Sequence, residues 1–326
     1  MKKHLAAATL IVFAATLAAQ TAPNPHPYTQ LYVFGDSYSD SGSGYLDTNG
    51  PTAVADLAQR LGIPFTVYGD PHYKTQGLNF AISGAGSGAG AGRRYPTGEM
   101  LGIGMKNQVD NFVAFTKTKD IPPIDAANTL FFFAGGLNDR GARMPGCPAP
   151  PRPGSAPVGQ PPTTPAAPSP APTAQTPSTS APSANCAPGT YTRTNIEDEI
   201  ETLYALGARR FMVAILPTKI RQFATAGTMF NPDLEKIPAE ELAKHPDIRI
   251  ANSNWGAFLD EVMTNPAKYG ITDTTNPCAG RAIHHEDTTP CPTPDAHFFY
   301  HEGHPSAAVH RAVGDMLYTE ATTKAP

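Results

Sequence analysis

A serine near one end of this chain and a histidine near the other could together perform acyl transfer. The serine, Ser37, lies in Val33-Phe34-Gly35-Asp36-Ser37-Tyr38-Ser39-Asp40-Ser41-Gly42. There the apolar run Leu31 to Phe34 drops into a Gly-Asp-Ser turn, the way a buried strand delivers a hydroxyl to the rim of a sheet. A serine hydroxyl is a weak nucleophile until a base takes its proton as it attacks. The stretch Phe298-Phe299-Tyr300-His301-Glu302-Gly303-His304-Pro305-Ser306 offers that base in His304. Nucleophile early and histidine late is a chain order that acyl-transfer enzymes use. Taken alone, Gly-Asp-Ser reads equally well as a polar strand-to-helix turn capped by a serine.

Two further segments bear on the choice. Asn79-Phe80-Ala81-Ile82-Ser83-Gly84-Ala85 ends a strand-like run in a glycine whose backbone N–H could face a developing oxyanion. Gly135-Gly136-Leu137-Asn138-Asp139 follows another strand-like run, and Asn138 could add a side-chain amide. With the Ser37 N–H these make an oxyanion hole, in which losing one donor typically costs about 10²–10³ in rate. The glycine-rich run Gly84 to Gly90, followed by Arg93 and Arg94, could instead cradle a phosphate, but no Gly-Lys-Ser/Thr signature follows it. Asp36, Asp40 and Asp139 are expected to hydrogen-bond these loops rather than move protons.

In order along the chain, Phe34-Gly35-Asp36-Ser37, Asn79-Phe80-Ala81 through Gly84-Ala85, Gly136-Leu137-Asn138-Asp139 and His304-Pro305-Ser306 resemble the motif blocks of the GDSL family of lipases and esterases, also called SGNH hydrolases. Asn265-Pro266-Ala267-Lys268-Tyr269-Gly270-Ile271-Thr272, with Cys278 downstream, is similar to the subgroup of secreted lipases, haemolysins and acetylesterases. The resemblance implies a three-layer α/β/α fold with a five-stranded parallel sheet. It implies Ser37 as nucleophile, Gly84 and Asn138 as oxyanion donors, and His304 as base, acting on an ester substrate through an acyl-enzyme without a cofactor. Deacetylation of polysaccharide, or acyl transfer to an acceptor other than water, would use the same centre.

One position departs from the family. Three residues before the histidine, where the family has an aspartate, this chain has His301. An imidazole would not stabilise the imidazolium of His304 as a carboxylate does. Asp295 is the expected substitute, with Glu302 next; a Ser–His dyad oriented by a backbone carbonyl is a third arrangement. A fourth reading, from another class, is a silent binding protein whose triad has lapsed at His301. His297, His301 and His304, and likewise His284, His285, Glu286 and Asp287, invite a metal reading, but the His-Glu-x-x-His spacing is missing and no metal is expected.

The elements that must position these groups alternate strand and helix. Gln30 to Phe34, Gly77 to Ile82, Thr129 to Ala134, Arg210 to Leu216 and Asp247 to Ala251 are strand-like. Thr52 to Leu61, Met105 to Thr116, a helix opened by a Thr194/Glu197 capping box, Trp255 to Thr264, and Pro305 to Thr319 are helical. Phe223 to His245 has no clear period. The alternation predicts a parallel sheet with helices on both faces, whose ligands bind beyond the carboxyl ends of the strands. Trp255 and Phe131-Phe132-Phe133 belong to its core.

Lys2, Lys3, the uncharged run Leu5 to Ala19 and the small residues Ala18, Ala19 and Ala22 read as a signal peptide over residues 1–22; an N-terminal anchor helix is the competing reading. About 300 residues follow, enough for one large α/β domain. Secretion or a periplasmic location predicts oxidised cysteines. The four, Cys147, Cys186, Cys278 and Cys291, allow three pairings, of which Cys147–Cys186 and Cys278–Cys291 are expected. Pro145 to Pro188 is a tract of Pro, Ala, Thr, Ser and Gly that cannot bury a core. With motif blocks on both sides, it reads as a low-complexity insertion at about 145–190 in a single domain. A net charge of −4 leaves no electrostatic footprint for nucleic acid, and a monomer is expected.

Overall fold

The computed structural model describes residues 26–147 and 186–324. The expected signal peptide, and most of the proline-rich tract, lie outside the described residues.

The runs that are continuously apolar in sequence become central strands. β1 (Gln30–Gly35) and β6 (Thr129–Ala134) are buried at every position, as a parallel strand covered on both faces requires. They pair in parallel from Gln30–Thr129 to Gly35–Ala134. The main sheet runs β2-β3-β1-β6-β7-β8, with β2 (Thr66–Val67), β3 (Gly77–Asn79), β7 (Arg210–Ala214) and β8 (Arg249–Ser253), and all its pairs are parallel. It therefore holds six strands rather than the expected five. The extra one, β2, is a two-residue edge strand too short to show a period. Two antiparallel hairpins lie beside the sheet: β4 (Ala91–Arg94) with β5 (Met100–Ile103), and β9 (Phe299–His301) with β10 (His304–Pro305).

Helices flank the sheet in two groups. α7 (Ala307–Thr323) packs against both α1 (Ala53–Arg60) and α6 (Trp255–Thr264). α3 (Thr190–Ala205) packs against α2 (Met105–Thr118), α4 (Ala224–Leu234) and α5 (Ile237–Lys244). The core between contains Trp255 and the triple phenylalanine of β6.

Two local expectations change. Thr194 and Glu197 do not open α3, which begins at Thr190 just after Cys186. The earlier start lets the Thr192 hydroxyl donate to buried Asp139 at 2.7 Å. The segment without a clear period holds α4 and α5; Pro232 inside α4 and Pro238 at the start of α5 break the helical pattern that would have revealed them. Both expected disulfides are formed, and Cys147–Cys186 brings the two ends of the tract to a Cα–Cα distance of 5.5 Å. β6 precedes Cys147 and its sheet neighbour β7 follows Cys186. No helix among the described residues is long and apolar enough to cross a membrane.

α1 starts without a side-chain cap of its own. Its Ala53 N–H instead donates to Nδ1 of buried His310 on α7, at 3.2 Å. Burial pushes the His310 pKa down to about 3. In the unfolded chain the ring takes its proton near pH 6.5. The unfolded state thus binds the extra proton between these values, so the stability His310 contributes is complete above about pH 6.5 and is lost as the pH falls toward 3. We expect urea unfolding at about pH 7.5 and 4.5 to show a larger loss of stability in the native chain than in His310→Gln. Equal losses would show that the ring is already protonated in the fold.

Candidate active site

The site is built where β1 ends. An added Cβ at Gly35 would lie 2.4 Å from the Ala134 carbonyl oxygen, so only glycine lets β1 run this close to β6. The Gln108 side chain of α2 clamps that end: its Oε1 accepts from Gly35 N–H at 2.9 Å and its Nε2 donates to the Gly35 carbonyl at 2.9 Å. The chain then turns at once. Ser39 and Asp40 N–H groups donate back to the Asp36 carbonyl at 3.0 Å each, which leaves Ser37 at the crest.

Buried acids fasten the neighbouring loops to this turn. Asp40 accepts from the N–H groups of Gly42, Gly44, Tyr45 and Ser83, the last at 2.7 Å. Burial raises its pKa and these amides oppose the rise. Asp139 accepts from Ser87 N–H at 2.9 Å, and Asn138 Nδ2 donates to the Ala85 carbonyl at 3.0 Å. Asp36 is fully buried, and burial pushes its pKa up to about 7; one oxygen accepts from Tyr38 N–H at 3.2 Å. These acids serve as loop ties.

Ser37 and His304 meet. Ser37 Oγ is 2.8 Å from His304 Nε2, although 267 positions separate them. His304 Nδ1 is 2.9 Å from the Glu302 carbonyl oxygen. A carbonyl only accepts, so Nδ1 carries the hydrogen and Nε2 is left with a lone pair toward the serine. Burial lowers the His304 pKa, partly offset by the charge of Asp47, which favours the neutral, basic ring. The histidine rides on the β9–β10 hairpin, whose turn holds Gly303 at φ +73°. Tyr38, next to the serine, donates its hydroxyl to the Gly303 carbonyl at 2.6 Å, and its ring packs 5.6 Å from the His304 ring. Gly84 has φ +79°. The Ser37 and Gly84 N–H groups find no acceptor among the described residues. An open cavity of about 310 Å³ is lined by Ser37, Gly84, Asn138 and His304, together with Arg93 and Phe223.

The expected acid is elsewhere. Asp295 is exposed, in a 3₁₀ turn (Pro294–Ala296), and accepts from Asn49 Nδ2 at 3.2 Å. That turn aims its carboxylate at the surface, and the position at His304 Nδ1 is taken by the Glu302 carbonyl. The Glu302 side chain is exposed as well. The acceptor at His304 Nδ1 is thus a backbone carbonyl. His301 turns its Nδ1 to Asp47 Oδ1 at 3.1 Å.

Asp47 is the residue the sequence reading missed. It is 2% exposed. Arg281 Nη2 donates to its Oδ2 at 2.8 Å, and that oxygen is 3.6 Å from His304 Nε2. Burial opposes its ionisation, but the hydrogen bond from His301 and the charges of His304 and Arg281 outweigh it and hold the pKa below the usual value. Nothing in Gly44-Tyr45-Leu46-Asp47 marks it; Ser83 Oγ donates to its Oδ2 at 3.4 Å, and its histidine and arginine partners lie more than 230 positions away.

The three histidines near the carboxyl end are turned to separate partners. His297 bonds the Asn276 carbonyl, His301 bonds Asp47, and His304 bonds Ser37 and Glu302. Among the described residues, potential ligands gather instead at Glu201, Glu241 and His245, where Lys244 Nζ already lies 2.6 Å from a Glu241 oxygen.

Residues 31–317 match the family model described as GDSL-like lipase/acylhydrolase. The chain belongs to this family. Two GDSL esterase/lipases of Arabidopsis thaliana are 28% and 22% identical to it over 145 and 154 residues. These stretches cover 37% and 40% of this chain and 40% and 43% of those proteins, so the chain matches about two fifths of its curated relatives' length. Among solved structures, it is similar to a member of the lipolytic G-D-S-L family from Veillonella parvula, at 11% identity and a TM-score of 0.42, covering 91% of this chain and 99% of that one. A lipase/acylhydrolase from Enterococcus faecalis gives 12% identity and a TM-score of 0.38, covering 90% and 96%. In this GDSL-family chain the His301 departure is accompanied by the His301–Asp47 hydrogen bond.

The Tyr38 hydroxyl is the tie between the serine turn and the histidine hairpin. Tyr38→Phe would leave the buried Gly303 carbonyl unpaired and lower the unfolding free energy by about 1–3 kcal/mol in urea titration. An unchanged midpoint would mean that the hairpin holds its place without this bond.

Proposed function

We propose that this chain is a secreted serine carboxylester hydrolase that works through an acyl-enzyme. The contact of Ser37 Oγ with His304 Nε2 at 2.8 Å, on the rim of the cavity, carries the reading. Nε2 takes the Ser37 proton as Oγ attacks the ester carbonyl carbon. The carbonyl electron pair moves onto oxygen, where the Ser37 and Gly84 N–H groups and the second Nδ2 hydrogen of Asn138 receive it. Nε2–H then protonates the leaving alcohol as the C–O bond breaks. Water, deprotonated by the same nitrogen, releases the acid. Throughout, the Glu302 carbonyl keeps Nδ1–H in place, so the ring returns to the same tautomer after each proton transfer.

Two disulfides and the leader-like first 22 residues support export to an oxidising compartment. The strands on either side of the proline-rich tract share one sheet, which supports reading the tract as an insertion in a single domain.

Purified protein should hydrolyse p-nitrophenyl acetate, and Ser37→Ala should remove the activity and labelling by a fluorophosphonate. Turnover that survives Ser37→Ala would refute the assignment. Asn138→Ala should lower kcat by about 10²–10³ with Ser37 still labelled. The ratio of acetate to palmitate turnover then separates a short-chain esterase from a lipase, and unlabelled, folded protein would favour a binding role.

A further inference from the structure

We propose that Asp47 is the positioning residue that takes the place of the family's missing carboxylate, acting on His304 from its Nε2 edge and through His301. The inference rests on the esterase reading above. A carboxylate that is 2% exposed is costly unless it is paired, and Asp47 is paired on every side. His301 Nδ1 lies 3.1 Å from its Oδ1, Arg281 Nη2 donates to its Oδ2 at 2.8 Å, and His304 Nε2 is 3.6 Å from that same oxygen. These three partners come from the far end of the chain, two of them from the hairpin that carries the base, and Ser83 Oγ adds a fourth contact by donating to Oδ2 at 3.4 Å.

This arrangement differs from a triad in which an acid bonds Nδ1. Here Nδ1 is already satisfied by the Glu302 carbonyl, so Asp47 has no proton to accept from it. Its action is twofold. Its charge lies beside the nitrogen that becomes positive when the Ser37 proton arrives, which favours the imidazolium at the moment of attack. Its hydrogen bond with His301, which pairs with His304 across the hairpin, fixes the hairpin against the serine turn. Asp47 neither gains nor loses a proton in the cycle. Arg281 keeps the carboxylate ionised and aimed.

The charged and titratable groups that face His304 are Asp47, Arg281, His301, His310 and Tyr38. Of these, Asp47 raises the proton affinity of His304, whereas Arg281 and His301 lower it. Replacing Asp47 by a neutral isostere should therefore lower the pH at which His304 titrates.

The test uses Asp47→Asn, Asp47→Glu and Asp295→Asn in the full chain, each checked for a native melting transition. Asp47→Asn should lower kcat by about 10–100-fold with KM within about twofold, and move the acid limb of the kcat profile to lower pH. Asp47→Glu should restore part of both; Asp295→Asn should change neither. The double variant Asp47→Asn/Arg281→Gln removes one charge that raises and one that lowers the proton affinity of His304, so its acid limb should lie between those of Asp47→Asn and the native chain while kcat stays low; recovery of kcat would trace the loss to an unpaired arginine and overturn the proposal. NMR titration of His304 in a Ser37→Ala background reads the same effect without turnover, and should give a lower pKa once Asp47 is Asn. An unmoved His304 titration, or unchanged kcat in folded Asp47→Asn, overturns the proposal. Absence of Ser37-dependent turnover in the native chain would strike the esterase reading instead, and the NMR titration would still decide whether Asp47 tunes His304.

Discussion

The site depends on where β1 lies. It is hydrogen-bonded to β3 on one side and β6 on the other, so the chain must leave its end in one direction and return from both. At such a switch the loops on either side diverge and open a crevice at the carboxyl ends of the strands. Ser37 leaves β1, Gly84 follows β3, and Asn138 follows β6. Three loops that are far apart in sequence therefore surround one cavity without any of them needing to be long. The approach at Gly35 and Ala134 is close enough to exclude a Cβ, and Gln108 bonds both the N–H and the carbonyl of Gly35, the latter shared with Ile82 N–H. The serine turn thus begins from a point with little freedom.

Rigid loops need buried polar ties, and here acids supply them. An unpaired carboxylate in the interior would cost several kcal/mol, on the order estimated for a buried ion. Asp40 avoids that cost by gathering main-chain N–H groups from its own loop and from Ser83. Asp139 does the same for Ser87 and draws α3 in through Thr192. A fully satisfied network of this kind specifies one geometry, because every alternative leaves a donor or acceptor without a partner. The glycine-rich loop from Gly84 to Gly90 is thereby held from both sides, although its composition alone suggests mobility.

The histidine arrives from a different part of the fold. A short hairpin, a left-handed glycine and the Tyr38 hydroxyl deliver it to the serine. The Tyr38 ring packs against the imidazole and burial favours its neutral form, while one backbone carbonyl decides which nitrogen bears the hydrogen. Orientation and charge, which a single aspartate supplies in a triad, are divided here between that carbonyl and the buried Asp47 cluster.

Much of this was legible in the sequence where the governing interactions are local. A strand buried on both faces must be apolar throughout, so β1, β6 and β7 could be read directly, and the turns after β1, β3 and β6 could be placed with Ser37, Gly84 and Asn138. Cysteine spacing sufficed for both disulfides. Elements with weak or broken periods were illegible: the two-residue β2, and α4 and α5 with their prolines. The carboxylate beside His304 could not be read at all. Asp295 is near that histidine in sequence but is turned outward by a 3₁₀ turn, whereas Asp47 lies 254 positions from His301 and reaches it only after the sheet and the hairpin are assembled. Residue type and spacing determined which groups could do chemistry. Which carboxylate faces the base was decided by packing, because a side chain's direction depends on the backbone of every element around it.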